Sequence, residues 1–178
     1  MKKTVFLLAG LFVMACGIQS VKAQTASASA SASASASAKA TIITPIAITH
    51  EGKPDLNFGN IVAGTATGTV TVDTEGNRTS STGITLPNAT PGDFQAAKFT
   101  VTGLADATYA ITLPDDNTVT ISGPGEDMTV TGFTSNPDGT GVLAGGTQTL
   151  SVGATLNVGA DQAAGEYAGE FTVTVAYN

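Results

Sequence analysis

The sequence predicts an all-β protein, an antiparallel β-sandwich, and three observations carry that prediction. Short stretches alternate apolar and polar residues with a period of two, which places one set of side chains on one strand face. Clusters of Gly, Pro, Asn and Asp separate these stretches about every ten residues, the rhythm of an all-β sandwich. Only Phe94 to Ala97, after a capping Asp93, reads as a helical turn.

Composition agrees. Charged residues make up 12% of the chain and Trp is absent, whereas long solvated helices need Leu, Glu and Lys on their faces. Abundant Thr and Val suit pleated, half-buried surfaces. After the N-terminal segments, the length is that of one ordinary domain, large enough to bury a core without cross-links.

The chain opens with Lys2 and Lys3, then runs apolar from Thr4 to Ile18 with breaks at Gly10 and Gly17. Val21-Lys22-Ala23 fits a small-residue cleavage site, so residues 1–23 read as a secretory signal peptide cleaved after Ala23. The expected destination is the outside of the cell or its outer surface. A second route stays open: Val13-Met14-Ala15-Cys16-Gly17 resembles a lipidation site, and acyl chains on Cys16 would hold the protein to a membrane. Cys16 is the single cysteine; the domain proper therefore forms no internal disulfide.

Residues 24–39 form an Ala/Ser-rich linker, with perfect Ala-Ser alternation from Ala26 to Ala38. Such a tract buries little and reads as a flexible spacer. Its period of two also admits a strand that adds to a neighbouring sheet.

The β-sandwich domain is expected over residues 40–178. Thr41 to Thr49 is strand-like, but Pro45 lacks an N–H and confines it to an edge or breaks it. His50 to Pro54 is a turn. Leu56 to Phe58 is a strand piece, and the apolar parity switches across Gly59 before Ile61, as at a bulge. Gly68 to Asp73 is a strand with Val70 and Val72 inward; Thr74 to Gly83 is a connection; Ile84 to Leu86 is a brief strand. Lys98 to Thr102 and Thr108 to Leu113 alternate through Phe99, Val101, Tyr109, Ile111 and Leu113. Val119 and Ile121 mark another strand. Met128 and Val130 mark the next, ending at Gly132-Phe133, and Thr134 to Gly146 is a Gly-rich connection. Finally Thr147 to Gly159 and Glu166 to Asn178 read as the two arms of a long antiparallel hairpin. Their inward residues are Leu150, Val152, Leu156 and Val158 on one arm, and Tyr167, Phe171, Val173, Val175 and Tyr177 on the other.

Leu56-Asn57-Phe58-Gly59-Asn60-Ile61-Val62-Ala63-Gly64, Gly68 to Val72, Val152 to Val158 and above all Gly165 to Asn178 resemble domain of unknown function 4402. This family of secreted bacterial domains is similar to pilin-type and spore-coat-U-type subunits. The resemblance covers residues 40–178. It implies an immunoglobulin-like or pilin-like sandwich at the cell surface, and it carries over no catalytic residue.

The residues themselves assign no catalytic, cofactor or metal site. His50 is the only histidine, too few for a zinc site or a histidine-based triad, and reads as an exposed loop residue. Asp115-Asp116-Asn117 and Asn136-Pro137-Asp138-Gly139 offer oxygens to calcium, but Asx and Gly are also what turns require. Asp73 with Glu75, and Glu126 with Asp127, lack a cleft to pair them for glycoside hydrolysis. Gly123-Pro124-Gly125 and Gly145-Gly146 lack the strand-loop-helix setting of a phosphate loop.

The formal net charge of −7 excludes nucleic acid and anionic membrane surfaces as natural partners, since both need clustered Lys and Arg. The expected function is a non-enzymatic, exported bacterial surface protein without cofactors: a pilin-like or adhesin-like subunit. It would join other copies of itself, or surface-assembly proteins, by strand addition. The alternative is a secreted or lipid-anchored binding module, for example for glycans, that uses loops on a rigid sandwich. Phe171 to Tyr177 carries no charge and no Pro; as a sheet edge it would offer a docking strand, and as a central strand it would be core.

Overall fold

The computed structural model describes residues 31–50 and 52–178. The expected signal peptide, Cys16 and the first part of the Ala-Ser tract lie outside the described residues. Residues 31–40 are exposed and form no regular secondary structure. Thr41–Asn178 is a compact unit, all-β and antiparallel as predicted.

A seven-stranded sheet is built around one long strand, β13 (Thr147–Val158). One edge of β13 pairs with β11 (Met128–Asn136), which is flanked by β10 (Val119–Ile121). The other edge is shared end to end: β8 (Ala97–Thr102) pairs along residues 147–152, and β4 (Gly68–Val72) along 154–158. Beyond β8 lies β1 (Ala47–Thr49); beyond β4 lies β5 (Arg78–Ser80). The handover from β8 to β4 occurs at Gly153, where a Cβ would press on the Val72 and Asp73 backbone, so only glycine fits.

Facing this sheet is a second layer in two unlike parts. One is a three-stranded sheet of β12 (Thr140–Val142), β9 (Thr108–Thr112) and β14 (Thr174–Tyr177). The other is mostly irregular chain holding two small ladders. In these, β2 (Asn57–Phe58) pairs with β7 (Phe94–Gln95), and β3 (Val62–Ala63) with β6 (Ile84–Thr85). Two apolar clusters follow from that division. Val101, Tyr109, Leu143, Leu150 and Val152 are fully buried between the three-stranded sheet and the large one. Val70, Val72, Met128, Val130, Leu156 and Val158 lie under the irregular part.

Several expectations are corrected. The two C-terminal arms do not form a hairpin: β13 already has partners on both edges, so the last strand crosses to the other layer and pairs with β9. Its inward parity survives, with Val173 buried and Phe171, Val175 and Tyr177 half-buried. β14 pairs only with β9 and ends its sheet, which makes it an edge. Phe94 to Ala97 is extended rather than helical, because β7 and β8 there have ladder partners. The connection after Thr74 hides β5, folded back on β4 by a turn in which Asp73 accepts from the Glu75 and Asn77 amides. β11 does not stop at Phe133 but continues to Asn136, with its register shifted between Thr131 and Thr134, and the Gly-rich stretch after it holds β12. Pro45 acts as expected: strand pairing begins only at Ala47, on an edge.

Candidate functional site: an open cleft in the second layer

Within the irregular part of the second layer the sandwich is not filled. A cleft of about 1300 Å³ opens there. Its floor is the inner face of the large sheet, including Val119, Ile121, Met128, Val130, Leu156 and Val158. One wall is Asp55–Ala63, from the start of the domain; the other is Gln162–Phe171, from its end.

Each wall is held from behind. Arg78 Nη1 donates to the carbonyls of Phe58 (2.7 Å), Asn60 (3.2 Å) and Pro91 (3.2 Å), and its guanidinium lies 4.3 Å from the Phe94 ring centroid. Burial lowers the Arg78 pKa, yet a guanidinium stays charged in proteins. This cation therefore organises three carbonyls with little regular pairing of their own. Gly59 has φ +71°, and a Cβ there would meet the Pro91 carbonyl at 2.6 Å. Glycine is required, and the left-handed kink is what switches the parity between Phe58 and Ile61. On the opposite wall, Tyr167 Oη accepts from the Gly125 amide (2.9 Å) and Gln162 Nε2 (3.0 Å) and donates to the Ala163 carbonyl (3.0 Å). Just beyond the walls, the Asp161 amide donates to the Gly64 carbonyl at 2.8 Å, which ties the two segments together at one end.

At the other end stands His50. It lies in a loop, as the sequence suggested, and is partly exposed, but its ring is held: Nδ1 donates to the Lys98 carbonyl at 2.8 Å, and Nε2 lies 2.7 Å from Asp55 Oδ1. Its ring packs 4.9 Å from Phe99, which meets Phe171 edge-on at 6.2 Å. Both ring nitrogens can donate only in the imidazolium, so the pairing favours the charged form. The Asp55 hydrogen bond raises the His50 pKa above its ordinary value, against a smaller opposing effect of burial. His50 thus clamps the start of one wall to β8.

The residues weighed from sequence lie elsewhere and serve turns. Asp116 Oδ1 accepts from Gly132 N at 2.7 Å, and the Asp115 carbonyl accepts from Thr118 Oγ1 at 2.7 Å. The Asp138 carbonyl accepts from Thr140 N, and Gly139 has φ +61°. Asp73 is held below the usual carboxylate range by its Asn77 hydrogen bonds. Among the described residues no three His, Cys, Asp or Glu side chains form a group able to hold a metal ion. Sequence reasoning missed the cleft because its walls are distant in the chain and barely alternate. The one available signal was Gly59 with its parity switch.

Residues 46–177 match the domain of unknown function DUF4402. The chain belongs to that family. No curated protein and no solved structure matches it. Within the DUF4402 match lie both walls of the cleft, its floor, Arg78 and His50.

Proposed function

We propose that this DUF4402 protein is an exported, non-enzymatic bacterial surface protein, a pilin-like or adhesin-like structural subunit. The observation that carries the reading is the unfilled cleft between the first and last segments of the sandwich. An apolar floor flanked by two lengths of chain with few mutual hydrogen bonds is suited to an added strand, where backbone pairing supplies affinity and alternate side chains supply selectivity. The N-terminal sequence supports export. The cleft's chemistry supports a non-enzymatic role: its histidine has both nitrogens engaged, and Asp55, Asp93, Glu166 and Glu170 stand around it without an arranged nucleophile and base.

The test is to fractionate the native host and label intact cells with an antibody to the folded domain. Surface labelling with protease accessibility is the expected result; confinement to the cytoplasm overturns the reading. A second reading, a glycan-binding or other binding module, draws on the same cleft, since Phe58, Phe99, Tyr167 and Phe171 give it aromatic surface. Saturable sugar binding that an Ala164→Trp change abolishes would favour that reading.

A further inference from the structure

We propose that the cleft is filled by the Ala-Ser tract of a second copy of this chain, residues 26–38, laid between the walls as a strand. The inference rests on the reading of the protein as a structural subunit and names the partner that its cleft takes. Four observations point to this occupant.

The first is shape. The cleft's floor is already largely buried: Met128 is 7% and Leu156 2% exposed. An entering strand therefore needs small side chains beneath it rather than large ones. Strict Ala-Ser alternation presents alanine on one face and serine on the other, which suits an apolar floor with water above. As a strand, residues 26–38 span about 40 Å, against at most about 30 Å for the Asp55–Ala63 wall, which Gly59 kinks.

The second is charge. Lys39 closes the tract, while Asp55, Asp93, Glu166 and Glu170 line the cleft and are exposed. The third is unexplained apolar surface. Ile42 is 94% and Ile43 50% exposed, directly after the tract, and a neighbouring copy that took up the tract would cover them.

The fourth is direction. Tyr177 Oη donates to the Thr44 carbonyl at 2.8 Å. From Thr44 the chain runs through β1 to His50 at the cleft, about 20 Å at strand rise. The domain thus receives its N-terminal chain at the end of β1 remote from the cleft. A tract that leaves the domain there and enters the cleft of the next copy makes a head-to-tail contact, which is heterologous and extends into a chain of subunits.

The experiment uses the full exported chain. Sedimentation velocity over a range of concentrations should show a ladder of multimers. A double change, Ser31→Pro with Ser35→Pro, should abolish the ladder while leaving circular dichroism and the melting temperature of the monomer unchanged, because it touches only exposed residues without ladder partners. Ala164→Trp, at an exposed position on a wall, should abolish it from the acceptor side. A synthetic peptide of residues 26–43 should bind the proline variant at one-to-one stoichiometry and raise its melting temperature, and should not bind the Ala164→Trp variant. A cysteine pair, Ser31→Cys with Ala164→Cys, should cross-link between isotopically distinct copies. Monomers at every concentration, a ladder that survives both changes, or cross-links confined within single chains each overturn the proposal. Surface labelling that persists alongside such a result would leave the reading as a surface subunit standing; its loss would remove both.

Discussion

The two halves of this sandwich use one long strand differently. Over residues 147–152, β13 is covered by a regular three-stranded sheet, and Leu150 and Val152 are fully buried beside Tyr109, Leu143 and Val101. Over residues 154–158 it is covered by two irregular walls with a cleft between them. The floor strands are equally apolar in both halves, so the difference lies in the covering layer. In the closed half a ladder satisfies the backbone of the cover. In the open half the backbone is held by particular side chains, Arg78 on one wall and Tyr167 on the other. A layer organised by single side chains can leave room for another strand within it; in a laddered one neighbouring strands are already paired, and only the outer edges β12 and β14 stay open.

Breaking the closed half should have the largest effect. Val173 is 7% exposed and packs with Tyr109 and Leu150, so Val173→Lys places an ammonium among apolar side chains without a partner. The isolated chain should fail to fold, seen as loss of β-sheet circular dichroism. Thr172→Pro, one residue earlier and without a ladder partner, should leave the spectrum intact.

Next come matched truncations on the two floors. Leu150→Ala, in the closed half, should cost about 3–5 kcal/mol, since its neighbours cannot collapse into the space. Met128→Ala borders the cleft and should cost about 2 kcal/mol, at the low end for such changes. Urea denaturation of both variants checks the order; equal losses would mean that the open half is packed as tightly as the closed one.

A smaller effect is expected at the anchor of the N-terminal chain. Tyr177 Oη accepts from the Leu104 amide at 2.6 Å and donates to the Thr44 carbonyl. Tyr177→Phe should cost about 1 kcal/mol and speed amide exchange at Leu104, measured by hydrogen exchange.

The smallest effect is the pH dependence of the clamp at the cleft's end. The His50 pKa is raised in the folded protein, so its contribution is complete below the unfolded value of about 6.5. It is lost as pH rises through the higher folded value. The melting temperature should fall slightly over that interval in the wild type and stay flat in Asp55→Asn. A proton NMR titration that placed the His50 pKa below 6.5 would contradict the pairing.

How much of this was legible in the sequence varies with the range of the interaction. The inward sets on β4, β8, β9, β10 and β13 follow from alternation alone, and Val70, Val72, Val101, Tyr109, Leu150 and Val152 are buried as their parity requires. The break at Pro45 and the kink at Gly59 follow from backbone chemistry local to one residue. β5 was missed because Arg78–Ser80 is polar on both faces: it pairs by backbone at the sheet's rim and carries no apolar signal. The helical turn at Phe94 failed for the opposite reason, since a capping pattern four residues long was overridden by ladder partners at Asn57 and Val152.

By itself, then, the sequence determined the antiparallel all-β class, the core-facing side of the main strands and the positions of most breaks. Each of these depends on side-chain period or on one residue's allowed dihedrals. Only the tertiary structure decided which strands are neighbours. Alternation says which face is buried but not which edge is free, so Thr147–Val158 and Glu166–Asn178 read equally well as a hairpin or as members of opposite layers. Competition for the two edges of β13 resolved this: β8, β4 and β11 occupy them, and the last strand was displaced to β9. That displacement leaves the first and last segments of the domain facing each other across unfilled space, where the cleft lies.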